Sequence, residues 1–299
     1  MKFLRDLYSP VDSRMINERV EVLSKRSIKR ESKIWVLKFI ISCLDLTTLE
    51  GKDTSGKLRD LIAKAINPME GVPSVAAICV YPSLVREAKE IISRFGGNVK
   101  VATVSTYFPS GQVDWQVKQE DLLIGLREGA DEVDIVINRK AFLEGKYHVV
   151  YDEIARAKEL CSKYNACLKV ILETGELPTY EHIRLASLLA MFAGADFIKT
   201  STGKISPAAT PQAFLVMLYA IRDFYYLTGK KVGIKPAGGI RYSKNAITYT
   251  VILNETLGDL FLSPEYYRIG ASTLINDLLM QYKKEIEGYY QADEYFSLS

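Results

Sequence analysis

The feature that most constrains the fold is a series of eight short, almost continuously apolar segments, separated by longer stretches with helical periodicity. From the first segment to the last there are seven steps, and each step averages roughly 32 residues, about one eighth of a typical α/β barrel. Near-continuous apolar strands indicate parallel strands that are covered on both faces. The segments span residues 39–46, 75–80, 99–105, 132–138, 167–173, 196–201, 232–235 and 266–270.

The stretches between these segments carry apolar side chains on one side and charges on the other, which indicates amphipathic helices. The clearest of them span residues 114–129, 148–164 and 179–193. Eight β-α units in sequence predict an α/β fold, a closed (β/α)8 barrel. An open doubly wound sheet would need a glycine-rich loop after its first strand, and residues 45–56 contain only Gly51 and Gly56.

Three regions are expected: a helical N-terminal extension at 1–38, the barrel at 39–288 and a short tail at 289–299. The extension is basic, with ten Lys/Arg against five Asp/Glu. Its run SKRSIKR at 24–30 fits a nuclear or anionic-surface signal, or more simply the solvated face of a helix packed on the barrel. The tail includes Tyr295, a candidate to reach a site at the barrel end, although disorder is the default for a terminus.

Composition limits the class of protein. Apolar residues make up 48% and charged residues 25% of the chain, as in ordinary soluble proteins. A net charge of +3 gives no overall basic field for nucleic acid. Four cysteines without a C-x-x-C pair favour a reduced, cytoplasmic setting. No secretory signal or membrane span is expected, because no apolar stretch approaches the necessary length.

The informative residues are charges inside the apolar strands: Asp134, Lys169, Lys199 and Lys235. An unpaired buried ion costs several kcal/mol, so these groups need partners or a function. A plain ion pair at the barrel end accounts for one lysine as well as a functional role does. It accounts less well for four charges on four successive strands, whose side chains converge inside a barrel and leave an excess of two positive charges.

Clustered cations lower one another's pKa, because each disfavours the charged form of its neighbour. A lysine that loses its proton near neutral pH is a nucleophile that attacks carbonyl groups to form a Schiff base. The cluster therefore predicts carbonyl chemistry at one of the three lysines.

A second group of residues follows strands 6, 7 and 8. Barrel enzymes often bind phosphate with the loops after the last strands, where glycines let backbone N–H groups approach the oxygens. Ser272 is also expected to cap the last helix. The candidate residues are Gly203, Lys204, Gly238, Gly239, Gly270, Ser272 and Thr273.

No metal or organic cofactor is expected. The histidines of the chain, His148 and His182, both lie in helical stretches, which makes a histidine-bound zinc site improbable. The segment around Gly203 and Lys204 lacks the upstream glycine of a P-loop, so an ATPase is not indicated.

With these residues in view, the chain resembles the deoxyribose-phosphate aldolase family between about Cys43 and about Leu279. The N-terminal extension is similar to that of longer members. The matching segments are DLTTL at 45–49, AAICVYP at 76–82, GADEVD at 129–134, LKVILETGEL at 168–177, ADFIKTSTGK at 195–204, KPAGG at 235–239 and RIGAS at 268–272.

The resemblance implies a class I aldolase, a lyase that reversibly cleaves 2-deoxy-D-ribose 5-phosphate to glyceraldehyde 3-phosphate and acetaldehyde in deoxyribose phosphate catabolism. It implies that Lys199 forms the Schiff base, that Lys235 lowers its pKa, and that Asp134 relays protons with Lys169 and a water. It further implies that Gly203, Lys204, Gly238, Gly239, Gly270, Ser272 and Thr273 hold phosphate, with Asp45, Thr47 and Cys79 on the substrate side.

One position departs from the family pattern. The family often has Asn-Ala-Thr after the strand-6 lysine motif, and Ala208 stands here in the Asn position, which puts the loop conformation in question rather than the chemistry. Two other functions stay open: a different Schiff-base aldolase or transaldolase acting on a sugar phosphate, and a non-catalytic sugar-phosphate-binding barrel. The expected partners are small sugar phosphates and aldehydes, and a homodimer is compatible with the resemblance.

Overall fold

The computed structural model describes residues 9–289. Within that range eight strands form one sheet in which every strand is parallel to its neighbours and pairs with the next one along the chain. The strands are β1 (Leu44–Thr47), β2 (Ala77–Val80), β3 (Lys100–Ser105), β4 (Glu132–Val136), β5 (Cys167–Ile171), β6 (Phe197–Lys199), β7 (Gly233–Lys235) and β8 (Ile269–Ala271).

The sheet closes on itself. β1 pairs with β8, and backbone hydrogen bonds join β8 to β7. The Arg268 N–H donates to the Ile234 carbonyl at 3.0 Å, and the Gly270 N–H donates to the Pro236 carbonyl at 3.0 Å. The predicted (β/α)8 barrel is confirmed.

Helices follow every strand and cover the outside of the barrel. Five of the described helices begin where a side chain satisfies a free backbone N–H group: the Thr210 hydroxyl, for example, accepts from the Ala213 N–H at 3.2 Å. The helices are α1 (Ser13–Ser24), α2 (Arg30–Ser42), α3 (Ser55–Ile66), α4 (Val85–Arg94), α5 (Trp115–Arg127), α6 (Arg139–Leu143), α7 (Tyr147–Lys163), α8 (Tyr180–Phe192), α9 (Pro211–Thr228), α10 (Ser243–Leu257) and α11 (Leu274–Glu287).

The N-terminal extension is helical, as predicted. Helix α1 buries Ile16, Val20 and Leu23, which share one face, against α9 and α10. Helix α2 packs on α10 and α11. The extension therefore covers the outside of the last barrel helices.

Two predictions about this region are wrong. Residues 39–42 were expected to begin the first strand, but they form the last turn of α2, because a short apolar run fits a buried helix as well as a strand. The basic run at 24–30 was expected on a helix face, but most of it links α1 to α2. In that link Arg26 pairs with Glu255 of α10 at 3.0 Å.

The remaining strands are shorter than the apolar segments that predicted them. The segment 132–138 becomes β4, which ends at Val136, and the segment 196–201 becomes β6, which ends at Lys199. The residues beyond these strand ends belong to loops at the carboxyl edge of the barrel. Tyr295 and the rest of the tail after residue 289 lie outside the described residues. None of the helices between residues 9 and 289 combines the length and apolar character needed to cross a membrane.

Candidate active site

Asp134 lies at the centre of a group of charged side chains inside the barrel. Its carboxylate accepts hydrogen bonds from Lys169 at 3.1 Å, Lys199 at 2.8 Å and Lys235 at 2.8 Å. All four residues are buried, and Lys199 alone among them retains exposure, at 4%. The structure brings together the four charged residues that the sequence singled out.

The register of the sheet explains this convergence. Asp134 is opposite Lys169 across the β4–β5 pair, and Lys199 is opposite Lys235 across the β6–β7 pair. Because side chains alternate along a strand, residues at matching positions on neighbouring strands point to the same side of the sheet. Here that side is the barrel interior.

Three further charged residues join the group: Asp45, Glu132 and Arg268. The Asp45 carboxylate lies 2.5 Å from the Lys235 ammonium, and Arg268 bridges Asp45 at 2.7 Å and Glu132 at 2.8 Å. Glu132 also contacts Lys169 at 2.5 Å. We call these seven side chains the interior network. Asp45, which was expected on the substrate side, lies within this network.

The charge balance of the interior network differs from the expected excess of two. Its three carboxylates face four cations, so one positive charge is in excess when every member is ionised. The network is electrically balanced when one lysine is neutral. A buried net charge is unfavourable, so the arrangement favours loss of one proton.

Lys199 is the member whose environment favours that loss. Burial lowers the pKa of Lys199, and the charge of Lys235 lowers it further, against the opposing effect of Asp134. Neighbouring cations were the expected cause of the lowered pKa, but burial is the larger one. For Lys235, burial alone would lower the pKa, yet Asp134 and Asp45 outweigh it and raise the pKa.

The carboxylates of the network remain ionised. Burial alone would raise the pKa of Asp134, but the three lysines around it hold that pKa well below its usual range. Burial likewise opposes ionisation of Glu132, and Lys169 and Arg268 overcome it and lower its pKa. Lys169 has its pKa raised by Asp134, Glu132 and Asp45 despite burial.

A cavity of about 540 Å³ opens above Lys199 at the carboxyl ends of the strands. We call it the upper cavity. Asp134, Lys169, Lys235, Asp45 and Cys79 lie beneath or beside it and do not line it. The predicted site residues that line it are Thr47, Lys199, Gly203, Lys204, Gly238, Gly239, Gly270, Ser272 and Thr273.

Backbone conformation and, at Gly238, close packing require glycine in the loops of this cavity. Gly203 and Gly238 have φ of 79° and 86°, in the left-handed region. A Cβ added to Gly238 would lie 2.6 Å from the Ala208 Cβ and 2.9 Å from the Gly203 Cα. Ala208, the departure from the family pattern, is therefore packed against the strand-7 loop.

Several cationic side chains line the upper cavity. Lys204 donates to the Leu49 carbonyl at 2.8 Å and to the Glu50 carboxylate at 3.0 Å. Lys52, Lys57 and Arg241 also line it, although the sequence argument had not selected them. The upper cavity therefore combines backbone N–H groups with several positive side chains, a combination suited to an anion.

The polar residues near the last helix are placed differently from expectation. Ser272 was expected to cap α11, but Thr273 holds the N-cap position, with no hydrogen bond from its side chain to the helix. Ser272 is exposed and lines the upper cavity.

Thr47 and Cys79 have distinct surroundings. The Thr47 hydroxyl donates to the Asp45 carbonyl at 2.9 Å at the cavity wall. Cys79 lies in a small apolar group with Leu49 and Val104, and burial raises the pKa of its thiol. Cys79 is therefore an uncharged neighbour of the lysines.

A buried carboxylate that the sequence did not single out supports one of the cavity loops. Glu173, just after β5, adopts a φ of 58°, and its buried carboxylate accepts from the Thr202 N–H at 3.1 Å and pairs with Arg139 at 3.3 Å. These contacts fix the start of the loop that carries Gly203. A positive φ at a non-glycine residue of this type cannot be read from the sequence.

A second cavity, of about 550 Å³, lies at the opposite end of the barrel, where the strands begin. We call it the lower cavity. Glu132 and Arg268 line it, together with Lys100, Lys158 and Phe197. The interior network therefore extends from one cavity to the other.

Metal-ligand geometry is not seen at either end. Across residues 9–289 no group of three or more His, Cys, Asp or Glu side chains is arranged to hold a metal ion. His148 and His182 lie on α7 and α8, as predicted.

The structure is a closed barrel with a buried lysine at the floor of a cavity. The cavity lies at the carboxyl ends of the strands, where barrel enzymes have their active sites. A model described as "DeoC/LacD family aldolase" matches residues 39–278. The chain belongs to this aldolase family and is a lyase, so the resemblance stated from the sequence is confirmed.

Individual proteins support the same assignment. The chain is 42% identical over 284 residues to "Deoxyribose-phosphate aldolase" of Homo sapiens, covering 91% of this chain and 88% of that one. Among solved structures, "QR15, an Aldolase" is 28% identical with a TM-score of 0.67, covering 83% of this chain and 98% of that one. The deoxyribose phosphate aldolase from Aeropyrum pernix, titled as a unique tetrameric structure, is 23% identical with a TM-score of 0.66 and covers 93% and 100%. At that identity it supports the fold.

Proposed function

We propose that the chain is a class I aldolase that reversibly cleaves 2-deoxy-D-ribose 5-phosphate to glyceraldehyde 3-phosphate and acetaldehyde. The observation that carries this proposal is Lys199, a lysine of lowered pKa that reaches the floor of an anion-suited cavity. The high identity to relatives named for this activity supports the choice of substrate.

Lys199 is the proposed nucleophile. Its neutral amine adds to the acetaldehyde carbonyl, and loss of water gives an iminium ion, which draws electrons from the adjacent carbon. A proton then leaves the methyl carbon, and the resulting enamine attacks the aldehyde carbon of glyceraldehyde 3-phosphate. Hydrolysis of the product iminium releases the sugar phosphate and the free amine. Cleavage is the reverse of these steps.

Asp134 is the proposed proton carrier. Its carboxylate is 2.8 Å from the Lys199 nitrogen and is held by Lys169 and Lys235 as well, so it is oriented toward the reacting bond. General acid–base help of this kind is worth about 10²- to 10⁴-fold. Lys169 orients Asp134 and, with a water, completes the relay. Lys235 keeps its proton, and its positive charge disfavours a positive charge on the neighbouring Lys199.

The upper cavity is the proposed phosphate site. The N–H groups near Gly203, Gly238, Gly239 and Gly270, with Lys204 and the hydroxyls of Ser272 and Thr273, bind the phosphate far from the new carbon–carbon bond. Binding there orients the aldehyde toward the enamine. Thr47 lines the sugar side of the cavity. Asp45 acts through the interior network, and Cys79 belongs to the apolar group beside the lysines.

We propose that this chemistry needs no metal or organic cofactor, because the iminium of Lys199 is itself the electron sink. Full activity in excess EDTA is the expected result. We also propose a cytoplasmic role in deoxyribose phosphate catabolism. The four cysteines, all in the described part of the chain, are free thiols, which suits a reducing compartment. A homodimer remains a proposal for gel filtration to test.

The deciding experiment is cleavage of 2-deoxy-D-ribose 5-phosphate, followed by borohydride reduction and peptide mapping. We expect glyceraldehyde 3-phosphate to accumulate and a reduced adduct to appear on Lys199. An adduct on Lys169 or Lys235 would overturn the assignment of the nucleophile. Cleavage of a different sugar phosphate, with none of this one, would favour another Schiff-base aldolase, and tight binding without turnover would favour a binding protein.

A further inference from the structure

Glu132 and Arg268 are two buried charged residues that the proposed mechanism does not use. They lie at the beginnings of β4 and β8 and line the lower cavity, at the end of the barrel opposite the upper cavity. Arg268 holds both oxygens of Glu132, at 2.8 and 3.1 Å. Neither residue lines the upper cavity.

The pair is nevertheless connected to Lys199 by an unbroken series of short contacts. One branch runs from Arg268 to Asp45 at 2.7 Å and from Asp45 to Lys235 at 2.5 Å. The other runs from Glu132 to Lys169 at 2.5 Å. Both branches end at Asp134, which lies 2.8 Å from Lys199.

Whether Lys199 is protonated depends on the groups that face it and, through them, on the charges of the interior network. They are the carboxylate of Asp134, the ammonium group of Lys235 and the Cys79 thiol, which burial keeps uncharged, while Lys169 acts through its contact with Asp134. In the barrel interior, charges are weakly screened, so a charge added or removed at one end is felt at the other. With Glu132 and Arg268 both present, the network is balanced when Lys199 is neutral.

We propose that Glu132 and Arg268 are positioning residues that set the protonation of Lys199 from the opposite end of the barrel. They do so by fixing the charge balance of the interior network and the places of Lys169 and Asp45. The inference rests on the proposed function, in which Lys199 must be neutral to react. It assigns a catalytic consequence to the end of a barrel where charged residues usually serve stability.

Two substitutions of opposite sign test the proposal. Arg268→Met removes a positive charge, leaves the network more negative and should move the midpoint of the pH profile for Lys199 adduct formation upward. Glu132→Gln removes a negative charge and should move it downward. We expect shifts of about one pH unit, or about tenfold in free amine below the midpoint. The double variant should return close to the wild-type midpoint.

The readout is the initial rate of borohydride-trapped acetaldehyde adduct on Lys199 as a function of pH. Lys100→Met is the matched control, because Lys100 contacts Glu132 at 3.4 Å but its side chain is 53% exposed, so solvent screens its charge. This control should leave the midpoint unchanged. Opposite shifts that cancel in the double variant support the proposal, since loss of packing alone would not cancel.

Midpoints that stay constant, or that move in the same direction in both single variants, would overturn the proposal. Loss of Arg268 removes one of the cations that Asp45 and Glu132 share, and this variant can fail to fold. In that case the direction of the Glu132→Gln shift decides alone, with thermal unfolding confirming that this variant is folded. Failure of the proposed function is recognised separately, because wild-type protein would then form no adduct on Lys199.

Discussion

Charged side chains of the interior network reach both ends of the barrel, but their surroundings differ between the two ends. At the upper end Lys199 reaches a cavity lined by glycines and hydroxyl groups. Further lysine side chains also line this cavity. At the lower end Glu132 and Arg268 hold each other through two hydrogen bonds, at the beginnings of β4 and β8. Each end has a cavity, but Lys199 lines the upper one, whereas at the lower one the charges of Glu132 and Arg268 are paired with each other. Chemistry and charge balance are thus assigned to opposite ends of one network.

The largest expected effect comes from the upper end. Lys199→Met should remove the amine that forms the iminium and lower turnover by more than about 10³-fold, as loss of a nucleophile does in other enzymes. Cleavage of 2-deoxy-D-ribose 5-phosphate measures it. Lys163→Met, which removes an exposed lysine paired with Glu159, is the matched control and should keep full activity. Substantial residual turnover in Lys199→Met would place the nucleophile elsewhere.

The next largest effect concerns Lys235, which connects the two ends of the network through Asp45 and Asp134. Lys235→Met removes a positive charge and frees Asp134 and Asp45 to attract the Lys199 proton, so the pKa of Lys199 should rise. Imine formation at neutral pH should fall about tenfold for each unit of that rise and recover as the pH increases. The pH profile of adduct formation measures it.

The control for this prediction restores the charge balance. A Lys235→Met/Asp45→Asn double variant removes one charge of each sign and should recover part of the neutral-pH rate. If activity were lost equally at every pH in both variants, Lys235 would act by direct proton transfer or substrate positioning.

A smaller effect distinguishes the rim of the upper cavity from its floor. Ser272→Asp places a carboxylate where phosphate oxygens are proposed to bind, and like-charge repulsion should raise KM for the phosphorylated sugar by about tenfold or more. Ser272→Ala controls for loss of the hydroxyl. Unphosphorylated deoxyribose should be affected far less, and equal losses on both sugars would show that Ser272 does not contact phosphate.

The smallest expected effect concerns Glu50, whose carboxylate pairs with Lys204 at 3.0 Å. A phosphate that binds Lys204 must displace this partner. Exposed ion pairs contribute up to about 1 kcal/mol, so Glu50→Gln should lower KM for the phosphorylated sugar by up to about fivefold, with little change in kcat. An increased KM would mean that Glu50 helps to hold Lys204 in its binding position.

Much of the site could be predicted because charges are conspicuous in apolar strands. Asp134, Lys169, Lys199 and Lys235 stood out for that reason. Glu132 carried a signal that was not used: it is two residues from Asp134, so alternation along a strand places both on the same face. Arg268, directly before β8, is likewise two residues from Gly270, so alternation places these two residues on the same face of the sheet.

The cavities and loops could not be predicted, because they depend on contacts between distant parts of the chain. The packing of Gly238 against Ala208 joins two loops, and the pairing of Lys204 with Glu50 joins residues 154 apart. The helical end of α2 at residues 39–42 was missed because tertiary packing, not local periodicity, decides between helix and strand for a short apolar run.

Burial of Lys199 has a thermodynamic consequence for the whole molecule. In the unfolded chain the pKa of this amine is about 10.4, and in the folded chain it is lower. At a pH between these two pKa values, folding therefore requires release of a proton. Its burial therefore opposes folding below the unfolded pKa, and this effect disappears as the pH rises above that value. Asp134 acts in the opposite sense: its lowered pKa stabilises the fold above the unfolded value, and that contribution is lost only as acid reaches the folded pKa. At neutral pH, therefore, the lowered pKa of the reactive amine opposes folding, whereas the lowered pKa of Asp134 favours it.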